Sequence, residues 1–133
     1  MDRHCENAGA IVDLLVDHPA IEKVMYPQLP GHPGHAAAAK QMKDFGGMVS
    51  FKVAGGVENS MAFTNAVTIP TLAVSLGNVD SLIQHPASMT HSATPKEERE
   101  KAGITDNIIR LSVGIENIED LIKDLDNALK LVF

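Results

Sequence analysis

The sequence predicts an α+β fold: one mainly antiparallel sheet of about four strands, with helices packed on one face. Three observations predict it. Segments that alternate apolar and polar residues are separated by segments with helical periodicity. Each alternating segment offers one apolar face only, the pattern of a sheet covered on one side. The length of 133 residues suits one domain, with enough chain for a real core.

The elements follow in order. Residues 3–17 are predicted to be a helix, with Ala8, Ile11, Val12, Leu15 and Val16 on one apolar face and His18-Pro19 as the stop. This helix begins almost at the first residue without a capping signal, so the chain is expected to start partway through a longer structure. "AIEKVMYP" is a short strand closed by Pro27, and "LPGHPGH" is a Gly- and Pro-dense loop. "HAAAAKQMKDF" is a helix stopped by Gly46-Gly47. "MVSFKVA" is a strand with Val49, Phe51 and Val53 on one face.

"GGVENSMAFTNAV" is a Gly-led helix, and "TLAVSLG" a second alternating strand. Residues 78–94 read as irregular, with at most one short turn near the start. In "TPKEEREKAG", Thr94 is the expected cap, Pro95 the first helical residue and Glu97 the partner in a capping box; Gly103 ends the helix. "IIRLSVG" is the last strand. The final helix, 117–133, turns Ile118, Leu121, Ile122, Leu125, Leu129 and Val132 inward.

Composition narrows the function. The formal charge is −6 and the bases form no stripe, which argues against nucleic acid as a partner. No apolar run is long enough for a membrane span, and the N-terminus "MDRHCENAGA" lacks an apolar signal region. The single Cys5 excludes an internal disulfide and suits a reducing compartment, taken as cytoplasmic; it reads as a plain thiol. His32 and His35, or His85 and His91, lack the further ligands of a metal set, so no metal is expected. The glycine pairs form turns, not a phosphate loop, and no Ser/His/Asp triad is legible.

Arg110 stands out. In 108–114, Ile109, Leu111 and Val113 point one way while Arg110, Ser112 and Gly114 point the other. In 71–77, Leu72, Val74 and Leu76 form one set and Ala73, Ser75 and Gly77 the other. If these strands are neighbours, Ser75 and Arg110 face one cleft. A guanidinium is a planar fork that matches a carboxylate bidentately. The pattern leaves two readings: a surface or acid-paired arginine, and an anion site for a small carboxylate.

Longer motifs carry a resemblance. "HPASMTHS", followed by "EEREKAGITDNIIRLSVGIENIEDLIKDL", resembles the C-terminal domain of the pyridoxal-phosphate-dependent cystathionine and methionine lyase family. "HPAIEKVMYPQLPGHPGH", "FGGMVSF" and "AVSLG" fit the same family in the same order, so the resemblance spans essentially the whole chain. It implies a substrate-binding role for Arg110, on the substrate's α-carboxylate, with Ser75 beside it and Thr90 bordering the site. It implies pyridoxal 5'-phosphate as the cofactor of the parent enzyme and a homo-oligomer, tetrameric in the family. Relatives acting on cystathionine carry an acid at the position of Val74, so Val74 points to methionine γ-lyase chemistry: methionine to methanethiol, 2-oxobutyrate and ammonia. Cystathionine γ-lyase or γ-synthase chemistry, and a non-enzymatic binding module, remain the alternatives.

The sequence departs from the family in one respect. The family's Schiff-base lysine follows a threonine, and none of Lys23, Lys40, Lys43, Lys52, Lys96, Lys101, Lys123 and Lys130 does. Residues 1–133 are therefore expected to be a single C-terminal domain without the N-terminal cofactor-binding domain, inactive alone, with no catalytic residue and no covalently bound cofactor.

Overall fold

The computed structural model describes residues 1–133. Helix α1 (Asp2–Val16) leads into strand β1 (Ile21–Met25), helix α2 (His35–Gln41), strand β2 (Met48–Val53) and helix α3 (Val57–Ala66). Strands β3 (Thr71–Leu72) and β4 (Leu82–Gln84), helix α4 (Lys96–Lys101), strand β5 (Ile108–Ser112) and helix α5 (Ile118–Val132) follow. One five-stranded sheet runs in the order β1-β2-β5-β4-β3. Every pairing is antiparallel except β3 with β4.

Alternation in the sequence becomes burial in the structure. Val49, Phe51 and Val53 of β2 and Ile109 and Leu111 of β5 are buried together with Ile83 of β4. Against that face lie Ile11 and Leu15 of α1, Phe63 of α3, and Leu121, Leu125 and Leu129 of α5. Phe51 and Phe63 meet edge to face, with ring centroids 5.9 Å apart. The apolar stripe of α5 explains its position, and Asn117 fixes its start by accepting from the backbone N–H groups of Glu119 and Asp120.

The structure corrects several expectations. Val16 is half exposed, because the stripe of α1 that faces the sheet is completed without it. Helix α2 ends at Gln41 because Met42 turns extended; this frees Phe45 to stack on His35 and to meet Tyr26 edge-on. Thr94 does not cap α4: Pro95 occupies the cap position and no side-chain cap bond forms, so the capping box is absent. The strand expected over 71–77 stops at Leu72, and Leu72, Val74 and Leu76 are exposed rather than a buried set. The irregular stretch holds β4, a fifth strand inserted between β3 and β5.

Candidate functional site

Arg110 sits mid-strand in β5. Its neighbours Ile109 and Leu111 are fully buried toward α1, α3 and α5, so period two turns the guanidinium to the opposite face. Pairing register places Ser50 of β2 on one side of Arg110 and Gln84 of β4 on the other. A polar row thus crosses the open face of the sheet at its centre.

The guanidinium has no acidic partner. Arg3 pairs with Glu6 and Arg99 with Asp106, whereas Arg110 forms no ion pair. Its Nη2 donates to the Gln84 Oε1 at 2.8 Å and to the backbone carbonyl of Ser75 at 3.2 Å. Both acceptors are neutral, and the Nη1 and Nε donors have no acceptor within the protein. A half-buried, uncompensated fork is the arrangement that gains most from a carboxylate.

Ser75 is beside Arg110, though not by the route expected. Strand β4 separates β3 from β5, and Ser75 lies on the loop after β3. It offers its carbonyl, not its hydroxyl, to the guanidinium. Thr90 is one bond further out: its Oγ1 accepts from Gln84 Nε2 at 3.0 Å. Val74 precedes Ser75 on the same exposed loop, its side chain 62% exposed.

That loop is held by long-range bonds. Ala73 N–H donates to the Ile83 carbonyl, and Gly77 N–H to Ser112 Oγ at 2.8 Å. Glu116 accepts from Ser81 N–H at 2.6 Å and from Ser81 Oγ at 2.9 Å. Asn7 of α1 reaches the carbonyls of Gly114 and Glu116, tying the same corner to the helical layer.

Gln84 is the residue that sequence reasoning missed. It is 2% exposed and touches both Arg110 and Thr90. In a three-residue strand buried on both faces no alternation exists to reveal it. The one available signal was its place in "HPASMTH"-adjacent sequence, four residues after Asp80 and immediately before His85.

The chain's residues do not fit pyridoxal phosphate. A groove of 640 Å³ beside α1 is lined by the carboxylates of Asp2, Glu6, Asp13 and Asp44, which outnumber its one cation, Lys43, itself paired with Asp2, and so repel a phosphate. A second, of 650 Å³, is lined mainly by apolar groups near Phe133, and its Lys130 is paired with Asp126. No lysine is buried, so none has the desolvated setting of a Schiff-base lysine. No cluster of His, Cys, Asp or Glu is placed to hold a metal. No helix is long and apolar enough to cross a membrane.

Residues 1–130 match the family described as Cys/Met metabolism PLP-dependent enzyme. The chain is 58% identical to an L-methionine gamma-lyase of Fusobacterium nucleatum over 99% of its own length and 33% of that protein's. It is 50% identical to a cystathionine gamma-lyase of Dictyostelium discoideum, over 97% of this chain and 33% of that one. A crystal structure of cystathionine gamma synthase from Xanthomonas oryzae, in complex with cystathionine, superposes with a TM-score of 0.91 at 51% identity, covering 98% of this chain and 34% of that one. The chain spans about a third of the length of the relatives it matches, and it belongs to the family of PLP-dependent enzymes of cysteine and methionine metabolism.

Proposed function

We propose that these 133 residues are the C-terminal, carboxylate-binding domain of a methionine γ-lyase. The observation that carries this reading is the Arg110 guanidinium: half-buried, set in the open face of a sheet, and bonded only to neutral acceptors. It would grip the α-carboxylate of an amino acid while the Nη2 bonds to Gln84 and Ser75 hold the fork still. Gripping one end fixes Cα in space, and positioning of this kind supplies much of an enzyme's rate. The assembled enzyme would convert methionine and water to methanethiol, 2-oxobutyrate and ammonia. Bond cleavage at Cγ is the work of the family's cofactor. The residues described here contribute binding and orientation, and alone they would not turn over substrate.

Val74 supports methionine as substrate: an exposed apolar side chain next to Ser75 suits a thioether better than a second charged end. The exposed Leu72, Leu76, Val79 and Ile115 support burial of this edge against further protein, namely the N-terminal cofactor-binding domain and the partner subunits of a homo-oligomer. Cystathionine is the second candidate substrate, favoured by the relatives named for it at about half identity.

The test is a chimera in which this chain replaces the matching third of the Fusobacterium L-methionine gamma-lyase. Release of 2-oxobutyrate and methanethiol from methionine, faster than cystathionine is cleaved, is the expected result. A folded, cofactor-loaded chimera that acts only on cystathionine would move the assignment within the family. One that acts on neither would favour a non-enzymatic module.

A further inference from the structure

We infer that Gln84 is the positioning residue of the site: its side-chain amide sets the orientation of the Arg110 guanidinium and links it to the loop bearing Thr90. This inference rests on the carboxylate-binding role of Arg110 proposed above.

The polarity of the first two contacts is fixed by chemistry. A guanidinium donates and never accepts, so the Gln84 atom 2.8 Å from Arg110 Nη2 is the oxygen. The amide nitrogen then faces Thr90 Oγ1, 3.0 Å away, and donates to it. Thr90 Oγ1 also lies 2.9 Å from His91 Nδ1, where the imidazole tautomer decides which atom donates. The result is a row of contacts from Arg110 through Gln84 and Thr90 to His91, directional as far as Thr90.

Gln84 is suited to this role by its own placement. It lies opposite Arg110 in the β4–β5 register, on a strand flanked on both sides, and is 2% exposed. Immediately after it, His85 is locked by Ser88 Oγ and by the Asp106 carbonyl, each at 2.8 Å. The backbone that carries Gln84 is thereby held at its C-terminal side, while the Ser75 carbonyl meets the same Nη2 from the neighbouring loop. The amide is neutral, so it orients the fork without cancelling the charge that a carboxylate needs. It engages Nη2 alone, so the Nη1 and Nε protons have no acceptor in the protein and stay available to an anion.

The experiment uses the 133-residue chain labelled with nitrogen-15, and follows the Arg110 Nε–H signal by its heteronuclear NOE. Three variants are compared: Gln84→Met, which keeps the volume and removes the acceptor; Gln84→Glu, which keeps an acceptor oxygen; and Thr90→Val. The wild-type signal is expected to be ordered, Gln84→Met to lose that order with backbone amide shifts elsewhere unchanged, and Gln84→Glu to restore it. Thr90→Val should give a partial loss. Titration with L-methionine should shift the Arg110 signal in the wild type, and bind Gln84→Met about five- to tenfold more weakly. An Arg110 signal equally ordered in Gln84→Met would overturn the positioning role. A wild-type signal that methionine does not move would instead overturn the carboxylate reading, because the ordering measurement needs no ligand.

Discussion

Tyr26 is the one tyrosine of a chain without tryptophan, so absorbance near 295 nm reports a single phenol. Its ring is 1% exposed and its hydroxyl donates to the Gly46 carbonyl at 2.7 Å. Burial, with Cys5 and Asp44 close by, pushes its pKa up to about 12. The folded state therefore keeps the phenol proton after the unfolded chain has lost it. Stability is unaffected below the ordinary value of 10.0 and falls as pH rises from there through about 12. A spectrophotometric titration of native protein should show a midpoint near 12, and near 10 in denaturant; one midpoint in both would contradict the burial of the ring. Gly114 makes a second residue-scale prediction. A Cβ there would lie 2.3 Å from the Val79 carbonyl oxygen and 2.6 Å from Ser81 N, both backbone atoms. Gly114→Ala should destabilise the chain by about 1–3 kcal/mol in urea unfolding and loosen the loop that carries Ser75. Arg110 itself was legible in the sequence, because the apolar pairs flanking it fix the face it takes. The partners were less so. Ser75 proved adjacent through its carbonyl, which residue type does not advertise, and Thr90 through Gln84.

The short elements around the site depend on non-local bonds. Helix α4 is six residues long and has no side-chain cap, so it cannot persist by propensity. It is tied to the start of β5 by Asp106, which receives Lys96 and, at 2.6 Å, the buried Arg99. Lys96 and then Arg99 hold the Asp106 carboxyl below its ordinary 3.8. That stabilisation is complete above the ordinary value and is lost as pH falls through the lowered one. Asp106→Asn should thus lower stability at neutral pH and flatten its decline on acidification below pH 4, as followed by thermal melts across pH. An unchanged acid limb would show that the ion pairs do not stabilise this corner. The same dependence explains which elements the sequence disclosed. Helices α1 and α5 and strands β2 and β5 carry sustained periodicity, and all were expected close to where they lie. Strand β4 spans three residues buried on both faces, and β3 only two, so neither offers a period to read. Their placement comes from pairing with β5 and with each other, which no local window contains.

At the scale of the whole molecule, the sheet divides two tasks. One face is sealed by α1, α3 and α5 and supplies the core; the other presents Ser50, Arg110 and Gln84 in a row. The class and the one-sided covering followed from alternation, because a strand with one polar face reports what lies on each side of it. The strand order did not, since it depends on the inserted β4. A rigid, helix-backed sheet is a firm platform for a binding side chain, and the neutral surroundings of Arg110 keep its charge available. The central claim is that this charge binds the substrate's carboxylate. The direct measurement is kcat/KM for methionine of Arg110→Ala in the chimera described above, against the chimera with Arg110 intact. Loss of a charge-assisted contact worth about 1.5–3 kcal/mol predicts a fall of roughly 10- to 150-fold. A value within about twofold of the intact chimera would mean that the guanidinium does not touch the substrate.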